Sequence, residues 1–333
     1  MEEEVDLEEL GVPVKIDLKN PNFSDIHNYI GFEDLNGFII EKNKNKRCKI
    51  VYKNKVIHGG YGKIQFATRH VNSDKHPIVV KKLIKNSNVN LFKEAFLQHL
   101  SHKTLEKYSL KRFIPKVFDI YTKFDTNLLK YILHFSMEEI IGTSIQTFLE
   151  TCVNPEKYFI HSLIQLCIAL DILQNDLNLD HRDLRYCNIF IVNNPLQLLI
   201  KGLKEDVEFI SDIHISILDF GFACIGVNKT VINAAEGFIH NEERCFKPGR
   251  DLFQLIISIW CKDSIRNRMS SEFVEKINSL LRNEEYDFSN LIDKRKDSKW
   301  PYYFTNEDNF SFTPLLPRAL LEKLVELKKH YSF

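Results

Sequence analysis

A chain of 333 residues that is 44% hydrophobic can bury one large core or two modest ones, and its 45 basic residues balance 45 acidic ones. That neutrality argues against a general nucleic-acid binder or a polybasic membrane protein. The cysteines at 48, 152, 167, 187, 224, 245 and 261 contain no C-x-x-C pair, which argues against a zinc site and a secreted disulfide framework. The first ten residues, MEEEVDLEEL, are acidic where a signal peptide needs positive charge, and no apolar run approaches the ~18 residues of a membrane span. A soluble intracellular protein is expected, cytoplasmic or nuclear and not secreted.

Residues 1–24 combine clustered acid with Pro13 and Pro21 and read as a flexible or loosely docked acidic extension. The basic stretch 42–55 reads as a loop leading into a strand. From 50 to 84, short runs rich in β-branched and aromatic residues (KIVYKNKVI, KIQFATRHV, PIVVKKLI) are broken by Gly, Asn and Pro, which predicts a meander of strands. A helix is predicted over Leu91–Leu105, then a strand over YILHFSMEE. Beyond Gly142 the pattern becomes helical: Ile160, Leu163, Ile164, Cys167 and Leu170 recur on one face, and RDLFQLIISIW and PRALLEKLVELKKH follow suit. A β-rich part over 25–136 and an α-rich part over 143–333, joined near residue 140, predict an α+β chain of two lobes with a cleft between them.

Three groups of residues carry chemistry. In HRDLRYCN at 181–188, Asp183 is a carboxylate able to accept a proton from a hydroxyl, and Asn188 can turn a carbonyl oxygen toward a metal ion. HISILDFG supplies a second carboxylate, Asp219, at a predicted strand end with Gly221 two residues on to let the backbone turn; Asp219 and Asn188 together suit Mg²⁺ carrying a nucleotide. HGGYGKI at 58–64 places Gly59, Gly60 and Gly62 between two strand-like runs, so backbone N–H groups can approach phosphate oxygens, although a plain hairpin turn accounts for the same glycines. Lys81 lies in the strand IVVKK, where a charge is costly without a partner, and Glu94 on the predicted helix can be that partner. Lys82 competes for the role on spacing, and an exposed lysine with an exposed glutamate fits the pattern too.

In order and spacing these residues resemble the protein kinase superfamily: the glycine-rich loop, Ile78-Val79-Val80-Lys81 in place of V-A-I-K, Glu94, H-R-D-L-x-x-x-N and D-F-G. The likeness runs from about residue 50 to 260. It implies a two-lobed kinase-like fold, a small antiparallel β lobe with one helix and a larger mainly α lobe. The core of the ATP-binding lobe would begin near 50, and a hinge would lie at 137–142. Met137 then stands as gatekeeper, Glu138 and Ile140 offer backbone groups to adenine, and Ile57 with Gly59, Gly60 and Gly62 covers the nucleotide. By the same likeness Asp183 is the catalytic base, Asn188 and Asp219 hold Mg²⁺, Lys81 pairs the phosphates of ATP, Glu94 fixes Lys81, and His181 is structural. Arg185 takes the place of a lysine in serine/threonine kinases and would neutralise the transferred phosphate. The partner implied is a protein substrate carrying a serine or threonine hydroxyl.

The departures are specific. Ile57 replaces the first glycine of the loop, thirty residues separate Asn188 from Asp219, where NNPLQLLIKGLKEDVEFISD predicts an inserted hairpin, and no A-P-E follows. Together with Asp180 before H-R-D, these features resemble the haspin-like atypical kinases, and the Asn-, Lys- and Ile-rich usage is similar to that of kinases encoded by large DNA viruses. Two other readings fit the same fold: a small-molecule phosphotransferase, against which Arg182 weighs, and a pseudokinase scaffold, against which the retention of Lys81, Asp183 and Asp219 weighs. Thr230, in the segment between Gly221 and Asp251, reads as an ordinary loop residue, and activity is expected without its phosphorylation.

Overall fold

The β-branched runs before residue 84 form strands where their alternation predicts them, and the architecture is mixed α+β. The computed structural model describes residues 3–6, 48–59, 62–83, 89–125, 129–201, 203–227, 230–235, 247–280, 282 and 315–331. The chain divides into two compact units. One comprises Met1–Lys103, Pro115–Glu139 and Asp219–Asn241; the other comprises Thr104–Ile114, Ile140–Leu218 and Glu242–Phe333.

The first unit is built on an antiparallel sheet of β1 (Glu3–Asp6), β2 (Cys48–His58), β3 (Gly62–Val71), β4 (Asp74–Leu83), β5 (Val117–Asp125) and β6 (Lys130–Glu138), in the order β1-β2-β3-β4-β6-β5. Alternation along β4 sorts its side chains between two cores. Ile78 and Val80 join Ile50, Tyr52, Ala67 and Tyr121 on one face. Val79 joins Phe135, Met137 and the helix residues Leu91 and Ala95 on the other. That helix, α1 (Leu91–Lys107), starts at Asn90, whose side-chain oxygen accepts the Lys93 N–H at 3.1 Å. Within the amino-terminal extension, Glu3–Asp6 pair with Lys49–Tyr52 as an edge strand.

The second unit centres on α3 (Pro155–Leu177), preceded by α2 (Ile145–Thr151). Asn154 caps α3 by accepting the Lys157 N–H, proline occupies its first turn, and Asn178 ends it in the left-handed region at φ 45°. Every residue of α4 (Arg250–Trp260) is buried. The shorter α5 (Asp263–Arg266) and α6 (Ser271–Leu280) follow it, and α7 (Pro317–His330) packs along α3. A small sheet joins β7 (Thr143–Ser144), β8 (Ile189–Val192) and β11 (His214–Ile217) in the order β11-β8-β7. The predicted insertion is a hairpin of β9 (Leu196–Ile200) and β10 (Val207–Ser211). Gly142 is required where it stands, because a Cβ there would drive into the Ile191 carbonyl of β8.

Cys224 is disulfide-bonded, whereas Cys152, Cys167, Cys187 and Cys261 are not. Linear spacing detects only pairs close in sequence. Among the described residues, no helix is long and apolar enough to cross a membrane.

Candidate functional site

In the first unit, Lys81 leaves β4 on the face of Val79, toward α1, and its Nζ donates to Glu94 Oε1 at 2.5 Å and to Asp219 Oδ1 at 2.7 Å. Strand alternation turns Lys82 the other way, opposite Lys63 and His134 on the Val80 side, which decides between the two lysines for this contact. Glu94 is fully buried. One cation therefore serves two carboxylates, and the three groups titrate unequally. Burial alone would lower Lys81, but Asp219 and then Glu94 outweigh it and hold the ammonium far above the usual range. Burial is also the first influence on Glu94, and with the Asp219 charge it outweighs Lys81, pushing the carboxyl up to about 7. The charged form is thus favoured on the lysine and disfavoured on the glutamate. The lysine sees two anions, whereas the fully buried glutamate sees one cation and one anion.

Asp219 has a backbone φ of 62°, in the left-handed region uncommon outside glycine. The turn delivers its carboxylate to Lys81, and the Gly221 N–H donates to the same Oδ1 at 3.3 Å. A Cβ on residue 221 would meet that oxygen at 3.2 Å and Glu94 Oε2 at 3.5 Å, so the glycine lets the backbone pass beside both acids. After this turn, β12 (Cys224–Val227) and β13 (Thr230–Asn233) form a hairpin. Beyond it the Asn90 N–H donates to the Ala234 carbonyl at 2.7 Å, and Val89 bridges Ala235, which ties the segment to the start of α1.

The glycine loop closes with a Gly59 N–H bond to the Gly62 carbonyl at 2.8 Å, and Ile57 is exposed beside it. Gly60 lies outside the described residues. A Cβ on Gly62 would stand 3.3 Å from Lys81 Cε and 3.2 Å from the Lys82 carbonyl, so glycine gives the lysine stem its room. Met137 is buried at the end of β6. The Glu138 N–H is taken by the Lys116 carbonyl at 2.9 Å, so any base contact from Glu138 would come from its own carbonyl. Ile140, half-buried, belongs to the second unit.

In that second unit, Asp183, Arg185 and Asn188 meet. Arg185 Nη2 donates to Asp183 Oδ2 at 2.9 Å, and its Nε stands 2.6 Å from Oδ1 as an ion-pair contact. Asn188 Nδ2 donates to the Asp183 carbonyl at 2.7 Å and to its Oδ2 at 3.1 Å, which orients the amide so that Oδ1 is the atom with ligand chemistry to offer. The loop is held from below by α4. Asp251 accepts the N–H groups of His181 at 2.8 Å and Arg182 at 2.9 Å. Asp180 pairs with the buried Arg250 guanidinium and accepts the Lys247 N–H at 3.0 Å. Arg182 is buried with φ 63°, and the buried His181 packs with its Nε2 donating to the Leu218 carbonyl at 3.1 Å.

Gln98 is a residue that no motif in the sequence marks. It is buried on α1 one turn beyond Glu94 and contacts Met137. Its only signal in the sequence is a polar residue one helical turn after the glutamate. Among the described residues, no group of three or more His, Cys, Asp or Glu side chains is placed to hold a metal ion. Asp219 is 45% exposed at its side chain and so keeps access to a ligand while bonded to Lys81. No protein-family model matches the chain, and no curated protein matches its sequence significantly.

Proposed function

We propose that the protein is an ATP-dependent protein kinase of two-lobed, kinase-like fold that transfers the γ-phosphate to a serine or threonine hydroxyl of a protein. The observation that carries this reading is the meeting of Lys81 with Glu94 and, across 138 positions of sequence, with Asp219. A lysine buried with two acids is expensive as a structural device, because replacing such a group with apolar residues is often neutral or stabilising. Its use becomes clear when a polyanion arrives. Lys81 then has phosphate oxygens to bond, while Glu94 keeps its stem aimed. Asn188 and Asp219 would hold Mg²⁺, which supplies neutralisation of the phosphate charge.

Asp183 would accept or orient the substrate hydroxyl, and the Arg185 guanidinium with the Asn188 amide would hold its carboxylate in advance. The Asp251 bonds to two consecutive N–H groups of the loop serve that same orientation. The test is incubation with γ-labelled ATP, Mg²⁺ and generic protein substrates, comparing the natural chain with Asp183→Asn. Label on protein, reduced about 10²-fold or more by the substitution with nucleotide affinity unchanged, is the expected result. Label on a small metabolite would move the substrate class to a metabolite, and nucleotide binding with no transfer would make the chain a scaffold.

A further inference from the structure

Glu94 stands on α1 between two polar anchors, each four residues away. On the N-terminal side, the Asn90 N–H is bonded to the Ala234 carbonyl. On the C-terminal side, Gln98 is 1% exposed, and its Nε2 donates to the Pro115 carbonyl at 2.9 Å and to Met137 Sδ at 3.3 Å. The Pro115 segment is itself fixed to the end of β6 through the Lys116 carbonyl and the Glu138 N–H. Residues four apart on a helix lie over one another, so Asn90, Glu94 and Gln98 share one face.

A methionine or leucine at 98 would fill the same space among apolar neighbours with no directional bond. A buried amide costs free energy unless bonded, and what it adds when bonded is orientation. An apolar contact lets a helix rotate or slide by a fraction of an ångström at little cost. A hydrogen bond to a fixed carbonyl does not.

We propose that Gln98 is a positioning residue for the Lys81–Glu94 pair: by tying α1 to Pro115 and to the Met137 thioether, its amide sets the rotation and height at which Glu94 meets Lys81. The kinetic consequence rests on the kinase reading, whereas the geometric consequence does not. The test therefore uses two readouts on Gln98→Met, which keeps the volume and removes the amide. The first is acylation of Lys81 by an N-hydroxysuccinimide acetate, followed by mass spectrometry on the full chain without nucleotide and in EDTA. Lys81 should react about tenfold faster in Gln98→Met, the scale of one lost hydrogen bond. It should react comparably fast in Glu94→Gln, and no faster in the double variant, because both substitutions release the same lysine.

The second readout is phosphotransfer. Gln98→Met should lower kcat/KM for ATP about tenfold in the natural background and hardly at all in the Glu94→Gln background, a coupling that general loosening of the fold does not produce. Unchanged Lys81 labelling in a folded Gln98→Met, or equal losses in both backgrounds, overturns the proposal. Should Gln98→Met fail to fold, Gln98→Asn, which keeps the amide but withdraws it by one methylene, is read the same way. If the natural chain transfers no phosphate, the kinase reading falls and the labelling alone still decides the role of Gln98.

Discussion

Replacing Glu94 with glutamine should make the protein more stable at pH 8 and less active. Glu94 is fully buried, and burial together with the Asp219 charge raises its carboxyl from 4.5 to about 7 despite Lys81. A folded-state value above the unfolded one means that the folded chain holds the extra proton between pH 4.5 and 7. The stability associated with that proton is complete below pH 4.5 and is lost as pH rises through 7. The rise from 4.5 to about 7 corresponds to roughly 3 kcal/mol. Glutamine mimics the neutral acid and carries no such dependence. The two proteins should therefore match near pH 4.5, and the variant should lead by about 3 kcal/mol at pH 8.

Urea unfolding of both proteins in EDTA, at half-unit steps from pH 4.5 to 8, measures this difference directly. On the proposed kinase reading the sign for activity is opposite: a neutral amide holds the lysine less firmly, and phosphotransfer should drop about tenfold or more, as expected for a misplaced reacting group. Parallel stability profiles would refute the reasoning, since they would mean that Glu94 is ionised in the fold at no cost. A variant that is more stable and fully active would refute the role given to the pair.

Three further outcomes are expected. Lys81→Met should abolish productive ATP use while Lys82→Met leaves it nearly unchanged, because only Lys81 lies on the Glu94 face; steady-state kinetics on both variants checks this, and an inactive Lys82→Met would contradict the register. Gly142→Ala should destabilise the chain by about 2 kcal/mol or more through a forced shift against the β8 backbone, read by denaturant unfolding, and a loss under ~0.5 kcal/mol would show that β7 yields freely. His161, whose imidazole burial and then Lys157 and Lys328 push down to about 4, should cost stability as pH falls from 6.5 to 4, by at most ~3 kcal/mol less what water screens. His161→Phe should flatten that acid limb in the same unfolding series, and an unchanged limb would assign the loss to other groups.

Local pattern makes much of the fold legible. The period-two runs of β2 to β4, the 3.6-residue period of α3 and α4, and the hairpin inserted before Asp219 all appear where the sequence places them. Lys81 against Lys82 is not decidable from spacing, because both fall in one basic strand end and only the register with β3 and β6 assigns their faces. Gln98 is invisible for a related reason: its partners, Pro115 and Met137, are 17 and 39 residues away, and nothing local marks a glutamine as bonded. The Cys224 disulfide and the pairing of Glu3–Asp6 with β2 likewise depend on contacts that no local period encodes.

Several of the residues that are legible as chemistry fold at a cost. Arg182 and Asp219 both adopt left-handed backbone angles, at φ 63° and 62°, where a β carbon is unwelcome. Glu94 is a buried acid raised toward neutrality, and Asp251 is another, pushed well above the carboxylate range by burial first and then by Asp180. A chain selected for stability alone would replace each of these with a residue that costs less. Their costs are borne together in two groups, Lys81 with Glu94 and Asp219 in one unit and Asp183 with Arg185, Asn188 and Asp251 in the other. Left-handed angles also occur at Asn72, Ser109, Leu129 and Asn178, so backbone angle alone does not mark these groups; the buried, raised acids Glu94 and Asp251 set them apart. A remnant relieved of selection would lose the costly residues first, and Asp219 or Glu94 would be the easiest to lose.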